Sequence, residues 1–263
     1  QIGNPDIKWE TTTQYNAGLD WSMLNSRLFG SFDVYYKKTS DILVQMAGIA
    51  AMGEGSSQWI NAGEVENKGV ELNIGYRNDT SYGLHYEVTG NISAYRNKIT
   101  ALPATVAANG TFGGNGVFSV IGHPNGAQAG YVADGIFRNQ AEVDNHAIQE
   151  GAAPGRIRWR DLDGNGVIDE KDQQWIFDPT PDFTYGLNVY LQYKDFDFSM
   201  FWQGSQGQDV ISDLKKETDL WSGLNIGFLN KGERLLDAWT PQNPDSSIPA
   251  LSRSDINNEK RVS

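Results

Sequence analysis

The feature that most constrains this chain is an alternation of period two that recurs in six separate runs. From Trp9 the odd positions read Trp9, Thr11, Thr13, Tyr15, Ala17, Leu19 and Trp21. The even positions between them read Glu10, Thr12, Gln14, Asn16, Gly18 and Asp20. Successive side chains of an extended strand point to opposite faces, so one face of this run is apolar or threonine and the other polar. The same pattern predicts strands over 27–37, 70–77, 82–95, 183–193 and 196–203. In the run 70–77, for example, Val70, Leu72, Ile74 and Tyr76 oppose Glu71, Asn73, Gly75 and Arg77. Every charge in the six runs falls on the polar faces.

Most of the runs reach about ten residues or more. That exceeds the roughly 5–6 usual in soluble sheets and approaches the roughly 9–11 that cross a bilayer at a tilt. Aromatic residues gather near their ends: Trp21, Tyr76, Tyr82, Tyr193 and Phe196 beside short turns, and Trp9, Tyr36 and Trp202 at the far ends. An interfacial girdle has this distribution. The connections alternate as well. Turns at 22–26, 78–81 and 194–195 are short, whereas 39–65, 96–181 and 204 onward are long. Two architectures accommodate such a pattern. One is an all-β, antiparallel transmembrane β-barrel, with its short turns periplasmic and its long loops, 96–181 and 204–263 among them, extracellular. The other is a soluble β-sandwich whose apolar face packs on a second sheet. Strand length, terminal aromatics and one-sided loops favour the barrel. Known single-chain barrels start at about 8 strands, so residues 1–263 are expected to form only part of a wall.

Composition narrows the functional classes. Lys and Arg number 21 against 33 Asp and Glu, a formal charge of −12, which argues against nucleic acid as a partner. With no cysteine, disulfide scaffolds, thiolate zinc sites and cysteine nucleophiles are excluded. No run approaches the roughly 18 apolar residues of a membrane-spanning helix. Gln1 in place of an initiator Met, without a signal peptide, fits an excised or processed piece. His85, His123 and His146 are far apart, and no nucleophile elbow, phosphate loop or dinucleotide fingerprint occurs. The chain is not expected to be an enzyme.

One segment carries metal-binding spacing. In Asp161–Asp172, side-chain oxygens stand at loop positions 1, 3 and 5 as Asp161, Asp163 and Asn165, with Gly166 at the sharp turn. Val167 would offer its carbonyl, Asp169 would act through water, and Asp172 occupies position 12 where glutamate is usual. The expected cofactor is a structural Ca²⁺ held by Asp161, Asp163, Asn165, Val167, Asp169 and Asp172. The alternative is an acidic Asx-rich turn without metal. Further along, 210–221 has helical spacing, and Asn230 could cap a short helix through Arg234–Trp239 that Thr240-Pro241 would stop. Gly110–Gly116 is turn-rich. Trp59, Phe112, Phe118, Trp175 and Trp221 are loop aromatics that could stack on sugar rings or pack the loops together.

Several motifs then resemble a known family in its own order. Asn4-Pro-Asp-Ile-Lys-Trp-Glu10 with Thr11–Gln14 is similar to the strand entry of the SusC/RagA family of TonB-linked outer-membrane proteins of Bacteroidetes. Glu66-Asn-Lys-Gly-Val-Glu-Leu72 is similar to a strand motif of TonB-dependent receptors. Gly130–Phe137, the Asp161–Asp172 loop, Asp178–Phe183 and Arg234–Pro241 follow in sequence. The resemblance implies a barrel of about 22 strands with a plugged lumen, of which this chain would be an internal piece from the C-terminal half. It also implies import of oligosaccharides or peptides with a SusD-like surface lipoprotein as lid, TonB–ExbBD as energy source acting through parts outside this stretch, and outer-membrane lipid around the wall. The calcium-type loop would lie in the extracellular region meeting the lid. The alternative function is a secreted soluble β-sandwich module that binds calcium and glycans.

Overall fold

The computed structural model describes residues 4–46, 58–107, 118–212, 218 and 232–251. All six predicted strands are present, in one antiparallel sheet. They are β1 (Thr11–Met23), β2 (Leu28–Met46), β3 (Gln58–Asp79), β4 (Leu84–Ala101), β9 (Phe183–Tyr193) and β10 (Phe196–Gln206). Their order in the sheet is their order in the chain, a meander whose edges are β1 and β10. It is an unclosed section of barrel wall.

The register explains why the alternation matters. Ala17, Val34, Val70 and Ala94 fall in one row, and Leu19, Phe32, Leu72, Ile92 and Tyr185 in the next. A slip of one residue in any strand would carry its whole apolar set to the other side. With the observed pairing every uncharged side lies on one face of the sheet. Nothing among the described residues forms a second layer on that face: Leu19 is 63% exposed, Phe32 44% and Phe198 53%. A sandwich would bury these side chains, so that reading falls. Aromatic rings lie over glycines of the neighbouring strand on both faces, Trp21 over Gly30 outside and Phe29 over Gly75 inside. A Cβ on either glycine would collide with the ring.

The strands run further than the alternation predicts. β2 continues to Met46 and β3 begins at Gln58, so most of 39–65 is ladder; β4 enters 96–181 as far as Ala101. A break in the period hid this. The β2–β3 register shifts between Thr39 and Ile42 and again before Leu43, and Asp41 adopts φ +59°, which marks a bulge. β10 reaches Gln206, so Trp202 lies inside the strand and not at its far end. The long connections still leave from one end of the sheet. There the buried apolar residues of this unit collect: Val44, Ile99, Val106, Ala107, Val120 and Ala127, with the short helix α1 (Ala104–Ala107) against β2.

Residues 128–177 and 210–263 form a second compact unit. It contains two small ribbons, β5 (Gln128–Tyr131) with β8 (Gln173–Phe177) and β6 (Ala133–Ile136) with β7 (Ile157–Trp159), and the short helix α2 (Gln140–Asp144). Phe137, Ile157 and Trp159 are buried, as are Leu235, Ala238 and Ile248. The helix expected through Arg234–Trp239 is a 3₁₀ helix over Glu233–Asp237, capped at Gly232 without a side-chain bond. Asn230, Gly110–Gly116, Phe112, Trp221 and most of 210–221 lie outside the described residues.

Candidate functional site

The acidic loop folds through its own Asx bonds. Asp161 accepts from the backbone N–H of Gly164 at 2.7 Å and of Gly166 at 2.9 Å. Asp163 accepts from Asn165 N–H, and Asn165 Oδ1 from Val167 N–H. Gly166 takes φ +83°, which only glycine adopts without strain. Asp172 closes the loop from its far end. Its carboxylate accepts from Leu162 N–H at 2.7 Å and Asp169 N–H at 2.8 Å, and its side chain is fully buried. Burial pushes the Asp172 carboxyl up, but the N–H groups of Asp169, Leu162 and Asp163 outweigh it and hold the group below the usual carboxylate range.

Of the six residues predicted as ligands, three converge: oxygens of Asp161, Asp163 and Asp172 lie within 4.8 Å of one another. Asp169 is engaged otherwise, its Oδ1 accepting from Lys171 N–H at 2.8 Å at the head of the 3₁₀ turn Glu170–Asp172. Three carboxylates so close repel unless a cation or proton offsets them, and all-oxygen donors suit a hard divalent ion. A parallel bridge pins the loop: Ile148 N–H donates to Gly166 and Ile168 N–H to the Ile148 carbonyl. Gln149, buried beside it, donates to the Ile157 carbonyl and accepts from Trp159 N–H, which ties this segment to β7. Sequence reasoning missed Gln149. A lone glutamine in a polar stretch carries no period or motif.

The three histidines serve separate local roles. The His85 ring bonds Asp79 at 2.8 Å and meets the Tyr190 ring edge-on. His146 bonds the Trp159 carbonyl and packs edge-on against Phe137. The His123 carbonyl accepts from Ile99 N–H. Burial first and Lys98 second lower the His123 imidazole, with Asp178 opposing them.

The polar face of the sheet carries an open trough of about 690 Å³, lined by Ser31, Asp33, Asn73, Asn91, Asn188 and Phe201 among others. Uncharged amides and hydroxyls dominate it, so it is a wetted surface facing away from the apolar side. The family model for the β-barrel of TonB-dependent receptor-like proteins matches residues 1–194. The chain belongs to that family. Its relatives among characterised proteins include TonB-dependent receptors P3 and P26 of Formosa agariphila. They are 34% and 31% identical over 94% of this chain and 25% of their own lengths. The TonB-dependent receptor SusC of Bacteroides thetaiotaomicron is 31% identical over 80% of this chain and 21% of that protein. The structure of the RagAB peptide transporter superposes with a TM-score of 0.74 at 25% identity, covering 97% of this chain and 27% of that one. The chain thus spans about a quarter of the length of these receptors. It is a SusC/RagA-like receptor-barrel segment of the outer membrane, and its relatives are receptors, not enzymes.

Proposed function

We propose that this chain is a section of the wall of a TonB-driven importer of oligosaccharides or peptides, working with a SusD-like surface lipoprotein. The observation that carries the reading is the sheet itself. One face carries an uncharged band in register, uncovered among the described residues, the other is polar, and all long connections leave from a single end. Hydrocarbon tails cover the first face and an aqueous lumen borders the second. The loops at the connecting end form the vestibule that receives the nutrient and seats the lipoprotein. Energy reaches the ligand through TonB–ExbBD acting on parts of the polypeptide beyond this stretch. The likeness to the RagAB peptide transporter supports peptides, and the oligosaccharide reading rests on the family resemblance of the motifs. Uptake by cells with and without the gene, using labelled oligosaccharides in one series and peptides in another, separates them. Unchanged uptake in both series would overturn the transport reading.

Within the loop unit, the acidic loop holds a structural Ca²⁺. The carboxylates of Asp161, Asp163 and Asp172 supply the charge, joined by Asn165 Oδ1, the Val167 carbonyl and a water on Asp169. Calcium titration of the intact protein should raise the protection of 160–172 from hydrogen exchange, and a chelator should remove that gain. Identical exchange under the two conditions would refute the metal site.

A further inference from the structure

Above the apolar band the outward face changes character in two consecutive rows. The register places Tyr36, Lys68 and Arg96 side by side on β2, β3 and β4, and Lys38, Glu66 and Lys98 in the row beyond. All six continue the parity of Val34, Val70 and Ala94, so they share the face of the uncharged side chains. The eight steps from Leu28 to Tyr36 span about 27 Å along the strand, or about 20 Å of height at a barrel tilt of about 40°. These rows therefore stand where hydrocarbon gives way to headgroups, on the side that carries the long loops.

Four cations surround one central carboxylate, and their local partners are unequally shared. Lys38 pairs with Glu64 at 2.9 Å, and Arg96 with Asp182 at 2.7 Å. Glu66 stands between Lys38 and Lys98 in its row. Lys68 and Lys98 are exposed. Lys68 stands directly opposite Arg96 across the ladder, and like charges in that position repel unless an anion lies between them. The polar face at the same height holds Tyr35, Gly69 and Tyr95, then Lys37, Asn67 and Asn97. Cations are thus concentrated on the lipid side. Alkyl stems of lysine lie along apolar surface while the ammonium reaches the headgroup layer, and ammonium and guanidinium groups bind phosphate oxygens as charge-assisted donors.

We propose that this outward patch, centred on Lys68, Arg96 and Lys98, binds the phosphates of anionic lipid in the outer leaflet. The proposal rests on the barrel reading and adds a lipid preference to it. The test uses the intact detergent-purified protein, melted with added phosphatidylglycerol, with phosphatidylcholine and with inorganic phosphate. Phosphatidylglycerol should raise the melting temperature, and the other two should leave it unchanged. The shift should disappear in the Lys68→Gln/Lys98→Gln double variant and persist in Lys37→Gln, whose side chain faces the lumen. Added salt should shrink the wild-type shift. An equal response to phosphatidylcholine or to inorganic phosphate would overturn the proposal, as would a full shift in the double variant. Failure of the barrel reading has a separate signature: the intact protein would stay monodisperse without detergent.

Discussion

In the wall, Leu19, Phe32, Leu72 and Phe198 stand open in the uncharged band of the outward face. In the loop unit, Phe137, Ile157 and Trp159 are closed off from solvent. The same residue types obey opposite rules a few dozen residues apart in one chain. Water drives the second arrangement, because burial removes apolar area from it. The first is stable only where the surroundings are themselves apolar, and there the backbone must satisfy its own bonds, which the antiparallel ladders do. A core is defined by its solvent, and this chain is built for two.

The comparison can be broken most severely inside the loop unit. Phe137→Ala should cost about 3–5 kcal/mol, read as lost hydrogen-exchange protection across 128–177, while β1–β4 keep theirs. Equal loss in both units would mean that they share one core. On the wall, Leu72→Arg should cost about 2–4 kcal/mol near the bilayer midplane, measured by urea unfolding from lipid vesicles. Asn73→Arg, one residue along and on the lumen face, should leave that midpoint nearly unchanged. Equal costs would erase the distinction between faces.

A smaller, local effect belongs to Asp172. Its folded pKa lies below the unfolded value of about 3.9. Its contribution is therefore complete above that pH and is lost as pH falls through the folded value. Exchange at Leu162, Asp163 and Asp169 should quicken over that acid range, and Asp172→Asn should flatten the dependence. The smallest effect concerns the β1–β2 turn, where Leu24, Asn25 and Ser26 all take positive φ, Ser26 at 63°. Ser26→Gly should stabilise the sheet by about 0.5 kcal/mol, the left-handed strain relieved less the entropy glycine adds to the unfolded chain. A loss of stability would show that the hydroxyl or the stiffer backbone matters more.

What could be read in advance follows from the same physics. The six wall strands were legible because hydrocarbon on one side and water on the other impose a strict two-residue period. That period fails at Thr39–Ile42, where the bulge shifts the register, and fades beyond Tyr36, where Lys38 and Glu66 replace aliphatic side chains on the outward face. β5 to β8 were not legible. Each has three to five residues, too few to establish a period, and Gln128–Tyr131 finds its partner only at Gln173–Phe177. The acidic loop was legible in its spacing. Its anchorage through Ile148 and Gln149 was not, because a single bridge and a single buried amide leave no pattern.

The account rests most directly on which medium touches each face of β3. Single cysteines introduced by Val70→Cys, Glu71→Cys, Leu72→Cys, Asn73→Cys and Ile74→Cys, spin-labelled in the intact protein in lipid bilayers, would report collisions with oxygen and with a water-soluble nickel complex. Oxygen should dominate at 70, 72 and 74, and nickel at 71 and 73. Labels that read the same medium at both parities, or that are shielded from both quenchers at 70, 72 and 74, would contradict it.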